Sequence, residues 1–498
     1  MSEHASIPGT EEQGQFKRSL RLVDGVLLVV GSMIGSGIFI VSADIVRNVG
    51  SAGWLVAVWV ITGLMTMTAA ISYGELSGMY PKAGGQYVYL KESYNKLIAF
   101  LYGWSFFAVI QTGTIAAVGV AFSKFAAYLI PALSEDNKLL QIQTGLDTCG
   151  QPTYFSVSSA QVVSIAIIAL LTYSNTKGVK GGKWIQNIFT SAKLLSLFGL
   201  IIVGFIMFKP EIWQANWTNA WVATKASLVD ACNPAAGFSL SSISGTALLG
   251  GIAAAMVGSV FSSDAWNNVT FIAGEMKNPQ RNIGLSLFFG TLIVTIIYVS
   301  ANLVYLAVLP MDEIAHATKD RVAVSASTVI FGNLGTAIIA IMIMVSTFGC
   351  NNGLILAGSR VYYTMAQDGL FFKNAGTLNK HGVPQWALWA QWVVASILCL
   401  SGKYGDLLDM ISFVVVIFYV LTIGGIFILR KRLPDAERPY KAFGYPLLPA
   451  LYIILGISFC ILLIWFKPQF TWPGLIVVLI GIPIYYWLQR RPGAHLNS

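Results

Sequence analysis

The chain has 498 residues, 55% of them hydrophobic and only 11% charged, with a net charge of +9 and a mean hydropathy of +0.68. An average soluble domain carries about 25% charged residues, so a soluble enzyme, a nucleic-acid binder and a disordered chain are all excluded. A helical protein that crosses the membrane many times remains. The four histidines, His4, His316, His381 and His495, are too scattered for a metal cluster, and neither metal nor cofactor is expected.

Each crossing needs about 20 apolar residues. Twelve stretches meet that length: 22–48, 53–75, 95–122, 155–175, 184–208, 244–270, 283–309, 333–360, 384–402, 407–430, 446–466 and 472–489. Polar tails at 1–20 and 490–498 flank them, and no cleavable leader is read. With alternating spans, 21 of the 31 Lys and Arg residues fall on the side of the N-terminus, nine fall on the other, and Lys193 lies inside a span. The positive-inside rule then predicts that both termini are cytoplasmic.

The first span contains Gly31-Ser-Met-Ile-Gly35-Ser-Gly37-Ile-Phe39. Each glycine weakens a helix by about 1 kcal/mol relative to alanine. Two readings stand: close helix packing through Gly31-xxx-Gly35, or a break in the helix. Unwound backbone is tolerated at that depth only where protein buries it or a cavity borders it. The half-helix beyond a break would point N–H groups at a carboxylate. The sixth span reads Phe261-Ser-Ser-Asp264-Ala-Trp266-Asn-Asn268. A carboxylate at the bilayer centre costs about 2.5–3.5 kcal/mol, so Asp264 should face protein or water. Irregular segments five spans apart point to a transporter built from an inverted repeat.

These residues resemble the amino acid–polyamine–organocation superfamily, and within it the L-type amino-acid transporter and exchanger group with its bacterial relatives. The resemblance rests on five matches in order: the run at 35–39; Tyr73-Gly-Glu75-Leu with Tyr80-Pro-Lys-Ala-Gly-Gly-Gln-Tyr87; Phe261 through Asn282; Ser359-Arg360; and Arg438 through Pro446. It implies an all-α transmembrane fold of twelve spans in a five-plus-five inverted repeat, with spans one and six discontinuous. The first repeat would cover 21–210 and the second 240–432, with two further spans at 445–489. Carried over, the carboxylate cradle falls on the N–H groups of Ser36 and Gly37. The ammonium acceptors fall on the carbonyls of Met33, Phe261 and Asp264, and Phe261 becomes an aromatic gate. Asp264 departs from the glycine that many relatives carry, and either a structural hydrogen bond or attraction of cations is open to it.

Lys193 sits ten residues into span five, about 15 Å along the helix. The bland reading is snorkelling of its stem to the interface; the resemblance implies instead a fixed cation in the place of a coupling sodium ion. Glu75 and Arg360 read as structural ion-pair members, and 84–92 as a short helix outside the bilayer. Asn216-Trp-Thr218 fits a glycosylation acceptor. Cys149 and Cys232 fall in two polar loops on the non-cytoplasmic side, where a disulfide persists. They could bridge to each other or stay free, and heteromeric members of the family bond the first loop to an accessory glycoprotein; the bridge is favoured.

The expected function is secondary transport of L-amino acids across the plasma membrane by alternating access, as sodium-independent exchange of neutral substrates. Proton-coupled uptake with a broader or cationic range is the alternative mechanism, and a non-transporting sensor is the alternative class. An enzyme is disfavoured, since no nucleophile–base or metal constellation is visible. The expected partners are the amino-acid substrate and membrane lipid, with no nucleic acid.

Overall fold

The structure is a computed structural model that describes residues 18–146, 149–230, 232–233, 237–401 and 404–490. The tails expected at 1–20 and 490–498 lie outside the described residues except for 18–20 and 490. The first span is three helices in series, α1 (Leu22–Met33), α2 (Gly37–Ile40) and α3 (Ser42–Val49). The Asp24 carboxylate accepts from the Arg21 N–H at 2.8 Å and caps its start. At its far end Gly50 has φ +54°, and a Cβ there would lie 2.6 Å from the Thr224 carbonyl oxygen. Only glycine allows both that turn and that approach.

The chain continues through α4 (Ala52–Met79), α5 (Gln86–Ser93), α6 (Lys96–Ser105), a π-turn at Phe106–Ile110 and α7 (Gln111–Leu129). An antiparallel hairpin, β1 (Lys138–Leu146) and β2 (Pro152–Ser158), precedes α8 (Ser159–Thr176), α9 (Val179–Ile206) and α10 (Pro210–Trp217). A second hairpin, β3 (Thr224–Leu228) and β4 (Phe238–Ser242), leads into α11 (Gly245–Ser262) and α12 (Asn268–Phe271). Then follow α13 (Pro279–Val308), α14 (Met311–Ala315), α15 (Val322–Gln367), α16 (Gln385–Ser401), α17 (Tyr404–Arg432), α18 (Leu447–Phe466) and α19 (Pro468–Gln489).

Among the described residues, eleven helices are long and apolar enough to cross a membrane, and a shorter apolar helix at Gln385–Leu400 stands where a twelfth crossing is expected. The protein is a multi-pass membrane protein. Two groups of helices pack tightly within themselves: α1, α4 and α13 form one, and α7, α8, α15 and α16 the other. Both hairpins lie on one face of the molecule with Arg47, Lys319 and Asp409. Residues 18–20, 75–93 and 430–445 lie on the opposite face, which we call the terminal face; there Leu20 bridges to Met276, and Arg430 pairs with Glu75.

Three details differ from the sequence reading. The all-α expectation omits the two hairpins. Arg360 lies inside α15 rather than at the end of span eight, because the helix runs on to Gln367 and is interrupted only at Gly332 (φ 67°). Asn216 is no accessible glycosylation acceptor. Its side chain is buried, donating to the Leu306 and Leu309 carbonyls at 2.8 and 2.9 Å and accepting from the Met311 N–H at 3.1 Å.

Candidate functional site

Breaking a helix frees carbonyls that the next turn would have bonded. In an unbroken span one, the carbonyls of residues 31–34 would accept from the N–H groups of 35–38. Here α1 stops at Met33, and each freed carbonyl finds a side chain from another helix. The Lys193 ammonium of α9 donates to Gly31 O at 2.6 Å and to Ile34 O at 2.7 Å, with Ser346 O at 3.4 Å. The Cys350 thiol donates to Ser32 O at 3.0 Å, and the Ser346 hydroxyl to Ile34 O at 3.3 Å. The Tyr298 hydroxyl stands 2.9 Å from both Met33 O and Ser262 O. Lys193 is fully buried, so it does not snorkel.

Span six breaks in the same way between α11 and α12. Ala265 adopts φ 63° there, a conformation that costs a non-glycine residue of order 1 kcal/mol or more. The Asp264 carboxylate accepts from the Tyr419 hydroxyl of α17 at 2.5 Å. Trp266 packs edge-on against Tyr73 and tilted against Tyr419, with ring centroids 4.7 and 5.1 Å apart. The two breaks touch: a Cβ on Gly37 would lie 1.9 Å from Ser262 Oγ and 3.1 Å from Ser262 Cα. Gly37 therefore serves helix contact as well as any ligand. Met33 O also accepts from the Gly35 N–H at 2.8 Å, and Phe261 O from the Asp264 N–H at 3.1 Å. Two of the three expected ammonium acceptors, Met33 O and Phe261 O, are thus engaged within the protein in this conformation.

The site is approached from one side. A cavity of about 870 Å³ on the hairpin face reaches Val41 and Gly258, one turn short of Phe261. Its rim carries Arg47, paired with Asp320 at 2.7 Å, and Lys319, paired with Asp136 at 2.5 Å. The Lys319 ammonium, bonding Asp136 directly, holds that carboxyl below its usual range. Toward the terminal face the path is sealed. The Asn267 amide donates to Gln86 Oε1 at 2.9 Å, Gln86 donates to Thr422 at 3.1 Å, and Arg360 pairs with Glu275 at 3.2 Å deep in the protein.

The structure thus brings Met33, Ser36, Gly37, Phe261, Asp264 and Lys193 into one region. Cys149 and Cys232 lie apart from it, joined by a disulfide with Cα atoms 5.5 Å apart. Sequence reasoning missed Tyr298, Ser346, Cys350 and Tyr419. The legible signal was a hydroxyl inside an apolar run, which needs a partner there; the Cys350 thiol carries no such signal, since a thiol in a span is usually a small buried hydrophobe.

A two-break site reached from one face by a polar-rimmed cavity is what an alternating-access carrier requires. The profile of the amino acid permease family matches residues 20–485. The chain belongs to the amino acid permease family. Its relatives include the large neutral amino acids transporter small subunit 2 of Oryctolagus cuniculus, 28% identical over 499 residues, covering 99% of this chain and 85% of the relative. The human Asc-type amino acid transporter 1 is 26% identical, covering 98% and 86% respectively. The serine/threonine exchanger SteT of Bacillus subtilis is 28% identical, covering 97% and 99%. This is a family of amino-acid transporters and not of enzymes, and amino-acid transport is the activity of this permease.

Proposed function

We propose that this permease exchanges neutral L-amino acids across the plasma membrane by sodium-independent alternating access, with the substrate held between the two breaks. The observation that carries this reading is Lys193. Its buried ammonium is bonded to Gly31 O and Ile34 O, so a fixed cation already supports the unwound backbone that a mobile cation would otherwise hold. The N–H groups of Ser36 and Gly37 would receive the substrate carboxylate. The carbonyls of Met33, Phe261 and Asp264 would receive the ammonium once the breaks part and their internal bonds are exchanged for substrate bonds. Phe261 closes the site toward the hairpin-face cavity.

In this reading the repeats are 21–210 and 240–432, with 445–489 added, and both termini face the cytoplasm. The five-span separation of the breaks and the Lys/Arg distribution support it. Cys149 is bonded within the chain, which argues against its serving an accessory glycoprotein. Relatives named as a neutral amino-acid transporter and as an exchanger support the substrate class and the exchange mode.

Uptake of a panel of labelled neutral amino acids into proteoliposomes tests the proposal. Uptake should require internal amino acid and should not change when choline replaces sodium. Uptake into empty vesicles driven by an imposed pH gradient would replace exchange with proton coupling, and dependence on sodium would remove the role given to Lys193.

A further inference from the structure

Two bodies line the large cavity on the hairpin face. Val41, Asp44 and Arg47, from the outer half of span one, border it, and so do Tyr154, Phe155 and Ser156 of β2. The unwound backbone sets α3 off from α1, so α3 can swing about that break as a hinge. The first hairpin has no such drive of its own. Its root is fastened at α8, where the Ser159 hydroxyl stands 2.9 Å from the carbonyls of Ala132 and Ser134. Beyond the root, β1 is exposed along its whole length, and a two-stranded hairpin alone in water is marginally stable at best. Lys319 holds Asp136 at its foot at 2.5 Å, while the adjoining Asp320 holds Arg47 of α3 at 2.7 Å. Solvent screens such pairs. They keep the hairpin in place but are too weak to move it.

The second hairpin is gripped by span one. Thr224 of β3 fills the space beside Gly50, where a Cβ would lie 1.8 Å from Thr224 Oγ1, and its hydroxyl donates to Gly50 O at 3.4 Å. The Gly53 N–H donates to Ala220 O at 2.9 Å. The Trp54 ring N–H donates to Trp221 O at 3.1 Å, and the two indoles meet edge to face. Residues 220–224 thus clasp the corner between α3 and α4, and the pairing of β3 with β4 carries that clasp outward. Just beyond β3, Cys232 is bonded to Cys149, just before β2. Among the described residues the hairpins are separate two-stranded sheets, so the strong path from α3 to β2 runs through that bond.

We propose that the β1–β2 hairpin is a lid on the cavity and that the Cys149–Cys232 bond is the strap by which α3 closes it. This deepens the transport reading and rests on it. When α3 swings in over a loaded site, the clasp takes the second hairpin with it. The bond lets the two hairpins separate no further, so the first hairpin follows and its ion pairs part. With the bond cut, α3 still moves but leaves the lid behind. The occluded state through which substrate must pass is then less populated.

The test compares protein with the bond intact against protein reduced with a phosphine and alkylated before reconstitution. Both thiols are reachable, since neither Cys149 nor Cys232 is buried. In proteoliposomes, kcat for exchange of labelled L-alanine, L-serine and L-leucine should fall about tenfold on reduction, because lid motion limits turnover in such cycles. A Cys149→Ser/Cys232→Ser double variant should start at the reduced rate and not respond to the same treatment. Hydrogen exchange separates a strap from a mere staple. With the bond intact, a saturating amino acid should slow exchange at 138–146 and 152–158; after reduction that protection should vanish there and persist at 224–228. Unchanged kcat after complete reduction would overturn the proposal, and so would substrate protection of the first hairpin that survives reduction. If the bonded protein moved none of the three amino acids, the transport reading would fall and this inference with it, an outcome distinct from the other two.

Discussion

Among the described residues Lys193 has no acidic partner in its hydrogen bonds, only carbonyls of the unwound span and of α15. Hydrogen bonds from charged groups contribute about 1.5–3 kcal/mol each, and here two of them close carbonyls that the break has opened. Lys193→Met should therefore lower the melting temperature in detergent and reduce transport at least tenfold. A variant with wild-type melting and wild-type exchange would show that Ser346, Cys350 and Tyr298 suffice to hold the break. The position of Lys193 was legible, since ten residues into a span places it too deep to snorkel. Its partners were not legible, because they belong to a different span and become acceptors only when that span breaks.

At the scale of elements, the two breaks form one unit joined by a tyrosine. Tyr298 sits on the continuous helix α13 and stands between Met33 O on one break and Ser262 O on the other. Close packing adds to the link, for Gly37 leaves no room for a Cβ against Ser262. Tyr298→Phe keeps the ring, which packs against Trp59 at 5.1 Å, and removes only the hydroxyl. It should cost about 1–3 kcal/mol, read as a lower melting temperature, together with slower exchange. Unchanged values for both would mean that the breaks are held together by packing alone. The long helices were plain in the sequence because runs of about 20 apolar residues have few other uses. The hairpins were harder to see, since they lie in polar loops with β1 and β4 wholly exposed. Even so, Phe238-Ser-Leu-Ser241 alternates with the period of a strand, and that signal was available.

At the scale of the whole molecule, one face is sealed and the other is open to the cavity, and the disulfide belongs to the open one. The terminal face is sealed by buried groups, with Arg360 on Glu275 and Glu75 held by Arg430 and the Ala442 N–H. The hairpin face has partly exposed ion pairs around its cavity, which solvent screens and which can part at little cost. The Cys149–Cys232 bond ties the hairpin that follows α7 to the hairpin that precedes α11. It thus staples the two hairpins to each other. Such a bond persists only where the compartment is oxidising, so its chemistry reports orientation. A membrane-impermeant maleimide added to intact cells should label neither cysteine until an impermeant reductant is applied, and both afterwards. Cys350 and Cys399, buried within helices, should stay unlabelled throughout. Labelling without reduction would show that the bond is not formed in the cell. Labelling that needs permeabilised cells would place the hairpins in the cytoplasm and reverse the orientation drawn from 21 inward Lys and Arg residues against nine.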